Sequence, residues 1–357
     1  MKNNKNMKQK RILITGGCGF IGTNFLKYML KKYPNYTFIN VDALTYAGNI
    51  ENMKDNESDE NYIFEKGDIT DFEFIKNIFD KYNITDVIHF AAESHVDRSI
   101  LNPDIFAKTN ILGTLNLLNA AKNKWVNEYD KHRFHHVSTD EVYGTLELGS
   151  DDKFTEMTPY SPHSPYSASK AASDHFVKAY HDTYGLNITI SNCSNNYGPY
   201  QFPEKLIPLV IHRLESNEKI PIYGNGENIR DWLYVEDHAK AIDVIFHNGK
   251  NGETYNVGGN QPKTNNEIVK SIIDVYNEIK KTNIMFEDIV IYVNDRLGHD
   301  KRYEIDSSKL QENLNWQPEG MLNTHLKTTI KWYLDNKNWL NNIISGEYRE
   351  WINKNYK

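Results

Sequence analysis

The chain has 357 residues, 39% of them hydrophobic and 25% charged, and carries a net charge of −7. That length allows one large α/β domain with a smaller one attached, and the acidic balance argues against nucleic acid or an anionic membrane as the main partner. With no membrane-length apolar run, no signal-peptide pattern and only Cys18 and Cys193, we expect no disulfide framework, no metal site and a cytoplasmic setting.

Residues 1–9 are polar and rich in Lys and Asn, and read as a flexible tail. Arg11–Thr15 is a buried-strand run that ends in Gly16-Gly17-Cys18-Gly19-Phe20-Ile21-Gly22, and a helical pattern follows through Leu30. Strand, glycine turn and helix make the context a pyrophosphate needs: glycines let the backbone approach, and the helix N-terminus offers free N–H groups. The spacing is G-x-x-G-x-x-G, looser than the usual G-x-G-x-x-G, and a glycine turn alone is a weak signal. Asp42 follows at the end of the apolar strand Thr37–Val41. A carboxylate there can take both hydroxyls of an adenosine ribose and repels a 2′-phosphate, so NAD is expected over NADP. The competing reading of Asp42 is a loop cap.

A third strand, Tyr62–Lys66, leads into Gly67-Asp68-Ile69, where Asp68 either faces an adenine or caps the helix Phe72–Tyr82. Val87–Phe90 then runs into Ala91-Ala92-Glu93-Ser94-His95, small residues that suit backbone lying against a cofactor. His95 reads equally as a substrate-side donor or an ordinary loop histidine. A long helix is expected over Ile105–Lys124, with Thr109 and Asn110 in its first turns.

The strand of His135, His136 and Val137 feeds Ser138-Thr139-Asp140-Glu141, and Ser164-Pro165-Tyr166 opens a helix through Tyr184. Ser164 suits the cap and Pro165 the first helical position. Tyr166 and Lys170 share a helix face, and a cation beside a phenol favours the phenolate, a usable base. Four other Tyr-x-x-x-Lys pairs occur, at Tyr28, Tyr62, Tyr276 and Tyr333. The small residues around Tyr166 and the upstream glycine turn single this pair out. The acidic loop Leu148–Pro162 reads as a lid or as a surface excursion. Alternation of strands and helices through Ile188–Ile190 and Asn192 predicts an α/β fold with a doubly wound parallel sheet.

Beyond Asn192 the alternation breaks down. Asn195–Lys205 is rich in turn formers, aromatics and amides, which suits a polar ligand such as a sugar. Arg230 and Arg296, brought together, would hold a diphosphate through bidentate contacts, although each alone reads as a surface ion pair. The Trp/Tyr/Lys/Asn-rich stretch from Met321 reads as a helix on a small domain.

Gly16–Gly22, Ala91–His95, Ser138–Gly144, Tyr166–Lys170, Asn195–Pro208, Arg230–His238 and Asp295–His299 resemble, in order, the motifs of the extended short-chain dehydrogenase/reductases. Within that family the chain is most similar to the nucleotide-sugar 4,6-dehydratases, from Lys10 to about Trp316, and Thr139-Asp140-Glu141 is the most specific match. The resemblance implies a Rossmann-type sheet with a smaller C-terminal α/β substrate-binding domain. Residues 10–194 would be mainly NAD-binding and 195–357 mainly nucleotide-sugar-binding, with the chain free to cross back. It further implies that Gly16, Gly19, Phe20, Ile21, Gly22, Asp42, Thr45, Asp68, Ile69, Ala91, Ala92, Ser94, Thr109, Tyr166, Lys170 and Asn196 hold NAD. His95, Thr139, Asn195, Lys205, Leu206, Pro221, Tyr223, Arg230, Asn265, Arg296 and His299 would hold the nucleotide sugar.

The implied chemistry is oxidation at C4 of the sugar with Tyr166, Lys170 and Thr139, removal of the C5 proton by Glu141, and loss of the C6 hydroxyl as water with Asp140 as acid. Adjacent carboxyls tend to share a proton, which raises one pKa; the competing reading of the two acids is a favourable helix first turn. Cys18 stands where the family usually has alanine, and Leu297 where it has proline. A homodimer is implied, and thymine or uracil as the base stays open. The alternatives are a UDP-sugar dehydratase, a 4-epimerase, which the acid pair disfavours, and a non-catalytic dinucleotide-binding regulator, against which the intact acid/base set argues.

Overall fold

The computed structural model describes residues 9–344, so residues 1–8 of the expected tail and the end of the Met321 stretch lie outside the described residues. The strands are β1 (Arg11–Thr15), β2 (Thr37–Asp42), β3 (Tyr62–Lys66), β4 (Asp86–His89), β5 (Arg133–Thr139), β6 (Ile188–Cys193), β7 (Asn195–Tyr197), β8 (Ile220–Tyr223), β9 (Ile229–Tyr234), β10 (Glu253–Val257), β11 (Pro262–Thr264) and β12 (Val290–Val293). Seven of them form one sheet in the order β10-β6-β5-β4-β1-β2-β3, and every pairing in it is parallel. Both faces of such a sheet are covered by helices, which is why β1, β4 and β6 are nearly continuous buried runs. The expected doubly wound parallel sheet is present.

The strand order reverses between β1 and β4. Successive connections leave that point on opposite faces of the sheet, and the gap between them is where open α/β sheets bind ligands. Gly16, at the end of β1, and Ala91, just past β4, face each other across this gap: a Cβ on Gly16 would lie 2.7 Å from the Ala91 nitrogen.

After β6 the chain leaves the sheet for a three-stranded sheet, β11-β9-β7, and a β12-β8 pair. These pack with the helices Leu206–Glu215, Asn265–Lys280 and Leu322–Asp335 around a second core that includes Tyr197, Ile211, Ile272, Leu326 and Tyr333. The chain also returns to the first core. Helix Val235–Asn248 packs on helix Phe20–Lys32, where Lys32 reaches Asp243 at 2.6 Å, and β10 then pairs with β6 at the sheet edge.

Three local expectations change. The helix expected from Ile105 begins at Pro103 and passes through a π-helical stretch, Ala107–Gly113, before the α-helix Thr114–Lys124. The cap of helix Phe72–Tyr82 is Asp71, which accepts from the Phe74 N–H at 3.0 Å, while Asp68 accepts from Thr70. The loop Leu148–Pro162 is neither a lid nor a bare excursion. Phe154 is buried against Tyr143 and bridged to Ile305, and the Tyr160 hydroxyl donates to Asp174 at 3.0 Å.

Candidate active site

The glycine turn is shaped for close approach. Gly16 has φ of +75°, in the left-handed region that favours glycine, and a Cβ on Gly22 would lie 2.3 Å from the Gly16 carbonyl oxygen. Helix Phe20–Lys32 starts at Gly19 with no side-chain cap and no acid in its first turn. Its leading N–H groups and positive dipole end are therefore open to an anion. Asp42 is buried at the end of β2 and accepts the N–H groups of Leu44 and Cys18 at 2.8 and 2.9 Å. Burial raises its pKa, and those two bonds counter the rise. The chemistry of this donor set fits a dinucleotide.

One cleft of about 310 Å³ runs from this turn along the ends of the parallel strands, a volume typical of ligand sites. Its lining takes in Gly16, Gly19, Phe20, Ile21, Gly22, Asp42, Thr45, Asp68, Ile69, Ala91, Ala92, Ser94, Thr109 and Asn196, together with Thr139, Asp140, Glu141, Tyr166, Lys170, Asn195 and Lys205. Every residue expected at the cofactor and every expected catalytic residue thus meets in one place. Asn196 is aimed by buried His238, whose Nδ1 lies 2.9 Å from its side-chain oxygen.

Two elements deliver the expected catalytic groups. β5 ends at Thr139, whose hydroxyl caps the short 3-10 turn Asp140–Tyr143 by accepting from the Glu141 N–H at 3.3 Å. Helix Pro165–Tyr184 begins with a capping box between Ser164 and Ser167 and ends on Gly185 in the left-handed region. Its first turns bury Tyr166 and Lys170. Asn110, in the π-helical stretch, donates to Ser169 at 2.8 Å and clamps both backbone groups of Glu93. The widened turn thereby ties the small-residue loop after β4 to the helix that carries Tyr166 and Lys170.

Burial sets the protonation states. It raises Tyr166 well above the ordinary phenol value, and the Glu141 charge adds to this while a hydrogen bond with Thr139 opposes it. Burial lowers Lys170, whose ammonium donates to the Val137 carbonyl at 2.9 Å. Asp140 is pushed far up by burial, with the charges of Glu141 and Asp231 reinforcing the effect. Glu141 is also raised by burial, but Arg296, Lys205 and Arg230 pull it back.

The remaining expected substrate residues do not line this cleft, although the charges of Arg230 and Arg296 act on Glu141. Arg230 is buried, stacks its guanidinium 4.2 Å over Tyr303 and donates to the Asp300 carbonyl at 2.9 Å. Arg296 lies 3.6 Å from Asp97, which also receives the Tyr223 hydroxyl at 3.4 Å. His299 meets Tyr223 edge-on and pairs with Asp295 at 2.6 Å. His95 caps helix Val96–Leu101 through Nδ1 and places Nε2 3.4 Å from Glu204. Leu206 opens helix Leu206–Glu215, Pro221 is buried in β8, and Asn265 starts helix Asn265–Lys280.

Sequence reasoning missed Glu204 and Tyr303. Glu204 is buried in the cleft wall beside Lys205, with its pKa raised to about 7 by burial. Its neighbour in the amide-rich run was the available signal. Tyr303 donates to Asp300 at 2.5 Å beneath Arg230, and nothing in its local sequence marks it. Among the described residues no His/Cys/Asp/Glu group could hold a metal ion, and no helix is long and apolar enough to cross a membrane.

A 3-2-1-4-5-6 parallel order, a glycine turn, an acid ending β2 and a buried Tyr/Lys pair define a dinucleotide-dependent enzyme of the short-chain dehydrogenase/reductase type. Residues 13–329 match the family model described as GDP-mannose 4,6 dehydratase. A dTDP-glucose 4,6-dehydratase of Salmonella typhimurium is 48% identical over 97% of this chain and 99% of its own. The crystal structure of the Bacillus anthracis dTDP-glucose 4,6-dehydratase in complex with NAD superposes with a TM-score of 0.84, at 42% identity over 94% of this chain and 99% of that one. The Streptomyces venezuelae enzyme, also solved with NAD, gives 0.86 at 40% identity, covering 93% and 99%. The chain belongs to the dTDP-glucose 4,6-dehydratase family of extended short-chain dehydrogenase/reductases.

Proposed function

We propose that the protein is an NAD-dependent dTDP-glucose 4,6-dehydratase, a hydro-lyase that yields dTDP-4-keto-6-deoxyglucose and water. The observation that carries this is the acid pair. Asp140 and Glu141 open into the same cleft as Tyr166 and Lys170, which a 4-epimerase has no use for.

The glycine turn, Asp42, Asp68, Ile69, Thr109 and Asn196 would hold NAD, which supplies the hydride acceptor for C4 and returns the hydride to C6. The residues move the protons. Tyr166 takes the C4 hydroxyl proton, with Lys170 on its helix face favouring the phenolate and Thr139 orienting the hydroxyl. The new ketone acidifies C5–H, and Glu141, which Arg296, Lys205 and Arg230 hold nearer to ionised, removes that proton. Asp140, kept protonated by burial and by Glu141, gives its proton to the departing C6 hydroxyl. Glu141, after exchanging its proton with solvent, returns one to C5, and the proton on Tyr166 balances the one lost from Asp140.

The buried arginines suit the diphosphate, and Asn195, Lys205 and the β8 residues suit the sugar and base. Residues 10–194 act mainly on the cofactor and the later chain mainly on the nucleotide sugar. A homodimer accounts for the exposed apolar side chains Leu101, Ile105, Leu112, Phe176 and Tyr184, which lie on the adjoining helices that flank the sheet. Two buried free thiols suit a reduced cytoplasm.

The test is to incubate purified protein with dTDP-glucose and, separately, UDP-glucose, and weigh the product. Loss of one water from dTDP-glucose supports the reading. Unchanged mass with inversion at C4 would replace it with epimerisation.

A further inference from the structure

The helix of Tyr166 and Lys170 carries a buried acid, Asp174, that the chemistry above does not use. Tyr166, Lys170 and Asp174 fall at four-residue steps on helix Pro165–Tyr184, on one stripe facing β5. Asp174 is 1% exposed and Lys170 4%. His136, fully buried on β5, stands between them: its Nε2 is 3.1 Å from Asp174 Oδ1 and 3.4 Å from Lys170 Nζ. Nε2 of His136 also lies 3.3 Å from the Ser173 hydroxyl, while Nδ1 of His136 and Oδ1 of Asp174 have no hydrogen-bond partner among the described residues. The other oxygen of Asp174 accepts from the Ser138 hydroxyl at 2.8 Å and the Tyr160 hydroxyl at 3.0 Å. These two donors on one oxygen favour the ionised carboxyl in a buried place.

Resting on the reading of Tyr166 and Lys170 given above, we propose that Asp174 is the counter-charge that keeps Lys170 a cation, acting across His136 as a positioning residue. An ammonium with no solvent around it loses its proton unless an opposite charge is near. Burial lowers Lys170, and among the effects opposing this Asp174 comes first; burial raises Asp174 to about 6, and among the effects opposing that Lys170 comes first. The other titratable groups around the pair are His89 on β4, His136 on β5, Cys193 on β6, Tyr143 and Asp140 in the turn after β5, Tyr160 in the preceding loop, and Tyr166 and His175 on the helix itself. His89 and His136 are held neutral by burial and by Lys170. Cys193 is held as the thiol by burial, so it supplies no negative charge.

The test follows reduction of bound NAD⁺ by dTDP-glucose in a single turnover across pH, in wild-type protein, Asp174→Asn and Asp174→Glu. Lys170 must be protonated to favour the phenolate, so the alkaline limb of the rate reports its pKa. In folded Asp174→Asn, with KM within about twofold of wild type, the limb should move down by roughly one pH unit. Asp174→Glu, which keeps the charge, should restore it. Should Asp174→Asn not fold, the Ser138→Ala/Tyr160→Phe pair, which strips two donors from the carboxylate, should move the limb in the same direction by less. An alkaline limb left in the wild-type place, or a loss spread evenly over pH, would overturn the proposal. A wild-type protein that never reduces NAD⁺ would instead reject the underlying activity.

Discussion

Asp140 and Glu141 are neighbours in sequence but opposites in surroundings. Both are driven toward the neutral form by burial; Asp140 is driven further by Glu141 and Asp231 against the pull of Arg230, whereas Glu141 is drawn back by Arg296, Lys205 and Arg230 against the push of Asp300. Two carboxyls whose environments push them apart are an acid and a base awaiting their tasks. The proposed roles, Asp140 as proton donor and Glu141 as acceptor, rest on which charges each side chain faces.

Asp140→Asn should spare the first hydride transfer and slow the loss of water. Removing a positioned proton donor costs roughly 10²–10⁴-fold. Stopped-flow absorbance should show NADH rising and persisting after dTDP-glucose is added. Full overall turnover without NADH accumulation would make Asp140 a structural cap.

Tyr166→Phe removes the phenol oxygen and keeps the ring that packs edge-on against Phe106 at 6.3 Å. Folding should survive while NAD⁺ reduction fails, and nothing downstream proceeds. Near-normal NAD⁺ reduction would place this pair with the other four Tyr-x-x-x-Lys pairs of the chain.

Asp42 receives the N–H groups of Leu44 and Cys18 at the mouth of the glycine turn. Protein purified without added nucleotide should release NAD(H) on denaturation, and titration should show NAD binding more tightly than NADP. The reverse preference would contradict the role given to this carboxylate.

Glu204 links pH to stability in the ligand-free protein. Its carboxyl is raised from an ordinary 4.5 to about 7, so the folded state binds the extra proton between those values and stability falls as pH rises through them. The cost at pH 8 is at most roughly 3 kcal/mol. Glu204→Gln should gain thermal stability over wild type at pH 8 and lose that advantage near pH 4, as read by Tm. A gain independent of pH would show that the carboxyl titrates normally.

Much of the fold was legible because parallel strands buried on both faces are written as apolar runs. β1 and β3 were readable to the residue, and the Tyr166 helix has the expected Ser164 cap and Pro165 at its first position. The helix expected over Ile105–Lys124 is present from Pro103, but its π-helical stretch, where Asn110 grips Glu93 and Ser169, is something no periodicity encodes. Asp68 and Asp71 were both chemically fit to cap, and chain geometry alone chose the second. Tyr303, Glu204 and Asp174 share a different reason: each acts through partners on another element, so its role exists only once the chain has folded.

The most direct test of the central claim is solvent exchange at C5. Run in deuterated water with dTDP-glucose, the wild-type protein should give a product lighter by one water and carrying deuterium at C5, and Glu141→Gln should still reduce NAD⁺ while exchanging C5 slowly. A dehydrated product with no solvent deuterium at C5, or undiminished C5 exchange in Glu141→Gln, would contradict the account.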